Sequence, residues 1–333
     1  MTSRATLRAV STIWVSIDEF MSGSVLMPLQ WPASAGGAPD RPVRVLRSAG
    51  HGSISPSCCG KGERWAVRGM PANVSMTLIL PGNRIFAAKK HNTMIPRFFC
   101  PVPAGHAGSV ELPSAVAHHI ERVLRLADGD RVTLFDGSGR EIEARLEKAG
   151  RTLRAQLGAS SEPVRESPLR ITLMQCLAAS DKMDWIVQKA VELGVTRIQP
   201  VASRRAVVRL AGDRAQRRVE HWQQIAVAAC EQCGRNRIPE ILPLLTLPKA
   251  VGAADGQRLL LHPEGGVPLR QAGLQADTSI SLLIGPEGGF DGDELVIARS
   301  GGFTSVTLGP RVLCTETAGV AILGALNLLI GDF

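Results

Sequence analysis

The chain has 333 residues and a formal net charge of +8, but the excess is not spread evenly. Residues 1–93 carry a net of +7 and residues 94–333 a net of only +1, so bulk charge does not make the main part of the chain a nucleic-acid binder and any such surface is a local patch. Seven irregularly spaced cysteines exclude a disulfide framework and point to a reducing, cytoplasmic setting. No apolar run reaches the roughly 18–20 residues needed to cross a bilayer; the longest, 318–330, fits a buried core helix.

Residues 1–93 are rich in Ser, Pro, Gly and Arg and show no sustained period of 2 or 3.6. They read as a disordered extension or a translated leader, with Met94 as the functional start; a transit segment fits less well because of Asp18 and Glu19. Residues 94–166 read as a β-rich domain. A short helix over 114–126 precedes strands at 131–136, 140–147 and 151–158, joined by tight turns, as in a small barrel. Residues 160–168 form a linker.

Residues 167–333 alternate strands and helices. Strands are expected at 169–177, 195–201, 257–262, 279–285 and 303–309. Ser180 is placed as the N-cap of a helix carrying Met183, Ile186, Val187, Ala190 and Val191, and a long helix follows over 212–233. This pattern implies an α/β domain, a parallel sheet with helices on both faces. Cys230 and Cys233 have metal-type spacing but neither a second pair nor clustered histidines, so no metal is expected. The arginine-rich stretch 197–218 holds a single acid, Asp213. It reads either as a solvated face or as a phosphate-binding patch.

Three strand ends carry the chemistry: LLLHPEGG (259–266), LLIGPEGGF (282–290) and VTLGPRVLCTETAG (306–319). Open α/β sheets place ligands at such ends. Glycine lets backbone approach a ligand and proline fixes the turn. No lysine follows the glycines, and the signatures of P-loops, dinucleotide folds, zinc proteases and α/β-hydrolases are absent. Turns of this kind suit an adenine and a ribose better than a multiply charged phosphate.

Together with KMDWIVQKAVELGV (182–195), ACEQCGRNRIPEI (229–241), IPRFF (95–99) and LFDGSG (134–139), these segments resemble the ribosomal RNA small subunit methyltransferase E family. These are uracil-N3 methyltransferases of the SPOUT class. The resemblance starts at Met94, runs to near the C-terminus and has no place for residues 1–93. It implies a PUA-like β-barrel followed by a SPOUT α/β domain with a C-terminal trefoil knot. It also implies S-adenosylmethionine as cofactor, a homodimer with a shared RNA site, and a uridine in the 3′ region of 16S rRNA of the small ribosomal subunit as substrate. Another RNA substrate, or a non-catalytic RNA-binding role, is the alternative.

Carried onto this sequence, the cofactor loops comprise Leu261, His262 and Pro263; Gly285, Pro286, Glu287 and Gly288; and Leu308, Gly309, Val312, Leu313 and Thr317. Arg311 is the candidate to stabilise deprotonated uracil, and Glu316 to accept a proton or orient the base, or else simply to complement the helix dipole. Glu287 is expected to shape its loop. Arg97, Arg204, Arg205, Arg209, Arg235 and Arg237 are the candidate RNA contacts. Cys314 stands where the family usually carries arginine.

Overall fold

The structure is a computed structural model. It describes residues 95–333 apart from 104 and 151, and before them only the backbone of the strands between residues 11 and 87. The chain divides into two compact units, Met1–Ile95 and Pro96–Phe333. In the first, β1 (Ser11–Glu19), β2 (Gly23–Trp31), β6 (Ser75–Leu80) and β7 (Arg84–Ala87) form one antiparallel sheet in the order β2-β1-β6-β7. Strands β3 (Val43–Arg47), β4 (Gly50–Ser57) and β5 (Arg64–Arg68) form another. The leader reading of residues 1–93 is not addressed by these strands, and most of its connecting segments lie outside the described residues.

The second unit opens with a five-stranded sheet. The three-strand meander is present as β10 (Arg131–Phe135), β11 (Glu141–Ala149) and β12 (Thr152–Ser161), antiparallel in sequence order. Alternation builds it: Val132, Leu134, Ile142, Ala144, Leu146, Leu153 and Ala155 point to one core. Two short strands that the sequence did not signal complete it: β8 (Arg97–Phe99), parallel to β10, and β9 (Ser109–Glu111), against β12. The expected helix is α1 (Ser114–His118), which continues as a π-helical turn over His119–Leu124.

The α/β domain is one parallel sheet. Its strands are β13 (Ile171–Cys176), β14 (Arg197–Ala202), β15 (Glu240–Ile241), β16 (Leu245–Thr246), β17 (Gln257–Leu261), β18 (Val267–Pro268), β19 (Ile280–Ile284) and β20 (Thr304–Thr307). The order is β15-β14-β13-β19-β17-β20-β18, with β16 also on β14. Neighbouring residues on a strand face opposite sides. Leu173, Leu259 and Leu282 meet α2 (Ser180–Glu192), α3 (Gly212–Cys233) and α6 (Thr315–Ile330). Met174, Leu260 and Leu283 meet α4 (Leu247–Ala253) and α5 (Gly292–Ser300). Both faces are therefore dry, which is why these strands read as unbroken apolar runs.

One helix start differs from expectation. Ala179, not Ser180, is the N-cap of α2, and it makes no side-chain cap. The Ser180 hydroxyl is engaged instead by the Arg218 guanidinium at 2.5 Å.

Residues 160–168 tie the barrel to the α/β domain. Arg165 donates to Glu141 of β11 and to the Gly234 carbonyl. Glu166 pairs with Arg235 at 2.6 Å and accepts from the Arg237 backbone N–H. Arg235 is 5% exposed and also donates to the Val191 and Val195 carbonyls. Arg97 donates to Glu141, Asn236 and the Gly234 carbonyl, and its guanidinium lies over the Phe135 ring. The Glu231 carboxylate accepts the Phe99 N–H at 2.9 Å. Arg97 and Arg235, two of the expected RNA contacts, thus direct most of their guanidinium donors to the protein itself and join the domains, with only the buried Arg97 Nε left without a partner.

Deleting one partner of a buried ion pair leaves the other charge uncompensated. Arg235→Ala is therefore expected to lower unfolding stability by about 3 kcal/mol. Urea denaturation checks this; a loss below about 0.5 kcal/mol, the size typical of a surface substitution, would contradict the structural role.

Candidate functional site

Strands β19, β17 and β20 are adjacent in the sheet, so the loops leaving their C-terminal ends gather at one place. These are the three Gly/Pro segments singled out in the sequence. The turn after β13 lies beside them, because β13 neighbours β19.

One chain of hydrogen bonds holds the loops together. The Thr315 hydroxyl, at the start of α6, donates to the Gly285 carbonyl at 2.6 Å. Gln175, fully buried in β13, donates through Nε2 to Thr315 Oγ1 at 3.0 Å and to the Cys176 carbonyl at 2.9 Å. The loop after β20 is thus tied to the loop after β19, and both to the centre of the sheet. The Gln175 Oε1 atom is buried without a partner. Neither Gln175 nor Thr315 was among the expected site residues. A lone Gln in an otherwise apolar buried strand was the available signal, since buried polar groups are seldom idle.

Glu287 ties the same loop to the turn after β13. Its Oε1 accepts the Ala179 N–H at 2.9 Å. Lys182, in the first turn of α2, lies 3.7 Å from Glu287 Oε1 and 3.3 Å from Glu316 Oε2. Desolvation by itself would lower the Lys182 pKa, but the Glu316 and Glu287 carboxylates outweigh it and hold the ammonium above its ordinary value. Lys182 is a third residue the sequence reading missed. It sat inside a recognised segment, yet nothing in its own spacing linked it to residues 105 and 134 positions away.

Two glycines are required by geometry. At Gly285 a Cβ would lie 2.9 Å from the Phe290 ring, so any side chain would push that ring or close the loop. Gly309 has φ +99°, a conformation L-residues rarely adopt. At the third loop, the His262 N–H pairs with the Val306 carbonyl at 3.1 Å, and the ring lies back on its own turn, with Nδ1 2.7 Å from the Glu264 carbonyl. Leu261, His262 and Pro286 are buried to different degrees, Pro263 and Gly288 are open, and Leu308 and Leu313 pack on the core edge.

Arg311, Val312, Cys314 and Thr317 are exposed. Arg311 is in no ion pair among the described residues, which leaves its guanidinium free to meet a ligand. Cys314 is the N-cap of α6 and makes no side-chain capping bond, as expected for a residue with a weak acceptor.

The remaining candidate RNA contacts differ in availability. Arg204 is exposed, but its guanidinium bridges Asp291 at 2.9 Å and Asp293 at 2.7 Å, and its N–H meets Glu294, so it clasps the start of α5. The Glu294 N–H bond, partly offset by desolvation, and the Arg204 guanidinium hold Asp291 below the usual carboxylate range. Arg205 reaches the Gly288 carbonyl at 3.4 Å. Arg209 and Arg237 are exposed. Cys230 is a core residue whose thiol burial pushes up to about 12, and among the described residues no group of acids, cysteines and histidines is arranged to hold a metal.

Thr315→Val removes the hydroxyl while keeping the shape, and strands the Gly285 carbonyl. A stability loss of about 1–3 kcal/mol is expected, the cost of an unsatisfied buried polar group. Calorimetric unfolding measures it; an unchanged transition would show that the loops do not depend on this bond.

Comparison with known proteins agrees with this arrangement. An RNA methyltransferase domain family matches residues 165–327, and an RNA methyltransferase PUA domain family matches residues 112–153. The ribosomal RNA small subunit methyltransferase E of Buchnera aphidicola is 32% identical over 226 residues, covering 67% of this chain and 92% of that protein. The protein of the same description from Synechocystis is 33% identical over 230 residues, covering 67% and 74%. A crystal structure of a ribosomal RNA small subunit methyltransferase E from Neisseria gonorrhoeae, bound to S-adenosyl methionine, superposes with a TM-score of 0.67 at 38% identity, covering 72% of this chain and all of that one. With a PUA domain and a parallel α/β domain in that order, the chain belongs to the ribosomal RNA small subunit methyltransferase E family.

Proposed function

We propose that the chain transfers a methyl group from S-adenosylmethionine to N3 of a uridine in the 3′ region of 16S rRNA in the small ribosomal subunit. It would act in the cytoplasm, as a homodimer that shares the RNA site, without a metal and without membrane attachment. The observation that carries this reading is the meeting of three strand-end loops around the Thr315–Gly285 bond. A non-catalytic RNA-binding adaptor would have no use for that meeting.

The residues present fit the cofactor. Gly285 has no room for a Cβ beside the Phe290 ring, which keeps its backbone bare, and the Gln175 Oε1 atom is a buried acceptor without a partner. Leu261–Pro263, Gly285–Gly288 and Leu308–Thr317 would hold it. S-adenosylmethionine, when bound, supplies an electrophilic methyl group on a sulfonium.

The chain's own residues then have one problem to solve. Uracil N3 carries a proton and is a poor nucleophile until that proton leaves. Arg311, in no ion pair among the described residues, offers a cation that favours the deprotonated base. Glu316 offers a carboxylate for the N3 proton, and Lys182 beside it keeps that carboxylate in place. Holding the base in line with the methyl group supplies much of the remaining acceleration. The target base must be unstacked to expose N3. Arg205, Arg209 and Arg237 are retained as phosphate contacts, which position the strand without reading it.

The sheet order also fits a C-terminal trefoil knot. Strand β19 is inserted between β13 and β17, and α6 returns to α2, where Asn327 donates to the Leu193 carbonyl. Domain limits of 94–166 and 167–333 accompany this reading, with 1–93 as an extension upstream of a functional start at Met94.

Titration calorimetry with S-adenosylmethionine tests the cofactor; saturable binding at one site per protomer is expected, and no binding would overturn the reading. Arg311→Ala is expected to keep that binding and lose methyl transfer by roughly a hundredfold or more, the usual size of an electrostatic contribution at a reacting group. Undiminished transfer would remove Arg311 from the mechanism. Cys314→Arg restores the residue usual in the family and is expected to tighten cofactor or RNA binding; no change in either affinity would make position 314 neutral.

A further inference from the structure

A concavity lies beside the turn 177–180, which borders the three-loop site. It is an open groove of about 600 Å³, within the range of small-ligand sites. Its floor is apolar, from Leu177 and Ala178 at the end of β13 and Val208 and Leu210 in the segment after β14. Its rim is cationic. Arg214, Arg217 and Arg218 come from the first turns of α3, where spacings of three and four residues put them on one face.

The three guanidinium groups are not equivalent. Arg218 is part of the frame: it donates to Ser180 Oγ and Asp184 Oδ1 and lies over the Trp222 ring. Asp184 is further occupied by the Trp222 indole N–H and by His221. Arg214 and Arg217 are exposed and enter no ion pair among the described residues. The other acids of α3 near them are Asp213 and Glu220, and Glu220 is engaged by Gln216. A solvated helix face would be convex and its charges would alternate. Here two free cations overhang an apolar floor.

The groove shares a wall with the methyl-transfer site. The turn 177–180 forms its floor and rim, and the same turn gives the Ala179 N–H to Glu287 of the Gly285 loop. The turn 177–180 thus borders both the three-loop site and the groove.

We propose that this groove holds the RNA nucleotide next to the target, its base against Leu177, Ala178, Val208 and Leu210 and its backbone phosphates on Arg214 and Arg217. The proposal rests on the RNA-methyltransferase reading above and adds a subsite to it. An apolar floor takes the face of any base, so the subsite orients the strand more than it reads sequence. With the neighbouring nucleotide held, the uridine is presented splayed out of its stack.

The test uses small ribosomal subunits from a strain that lacks this gene. Methyl transfer to them is followed for the wild-type protein and for the double variant Arg214→Gln/Arg217→Gln. The expected result is a KM for subunits raised about tenfold, the size of losing charged hydrogen bonds, with S-adenosylmethionine affinity unchanged. The salt dependence of kcat/KM should also become shallower by about 0.7 per lost phosphate contact. The double variant Arg214→Lys/Arg217→Lys should restore most of both. Unchanged KM and salt dependence in the Gln variant, with wild-type transfer present, would overturn the groove and leave the activity standing. Absence of wild-type transfer would instead overturn the reading beneath it. Ultraviolet cross-linking of the wild-type protein to the same subunits should include peptides that hold 177–180 or 207–222; cross-links that include neither would also overturn the proposal.

Discussion

The hydrogen bond from Thr315 to the Gly285 carbonyl is the constraint on which the site depends. Thr315 stands at the start of the last helix, and Gly285 ends a strand in the middle of the sheet. Joining them ties the loop after β20 to the loop after β19, and the His262 N–H on the Val306 carbonyl sets the third strand end beside them. Gln175 supports the bond from below, its buried amide donating to both the Thr315 hydroxyl and the Cys176 carbonyl. Polar groups so deep in an apolar sheet are costly unless bonded, and here bonding them sets the geometry of the surface above.

The same economy governs charge. The chain holds many arginines, and several of them serve the fold. Arg97, Arg165 and Arg235 join barrel to α/β domain, Arg204 clasps the start of α5, and Arg218 frames the turn after β13. Among the described residues, Arg311 in the third loop and Arg209, Arg214 and Arg217 around the segment leading into α3 are exposed and enter no ion pair. Position relative to an acid, rather than the number of arginines, separates those that build the protein from those that can meet RNA.

Much of this was legible in the sequence. The parallel sheet followed from buried runs such as ITLMQC and ISLLI, and the meander from strict alternation in β10 to β12. The three ligand loops were marked by their own Gly and Pro residues. What stayed hidden was long-range. Nothing local tells that Thr315 meets Gly285, that Lys182 lies between Glu287 and Glu316, or that Arg97 is spent on Glu141 and Asn236. A charged residue's partner is set by strand order, and this sheet's order departs from chain order. The short strands β8 and β9 were missed because three residues are too few to show a period.

The central claim is that these loops serve methyl transfer to N3 of a uridine in small-subunit rRNA. Mass-spectrometric mapping of that rRNA after deletion of the gene tests it most directly. The account predicts loss of one N3-methyluridine in the 3′ region and its return when the intact gene is restored. Full retention of N3-methyluridine in the deletion strain would contradict it.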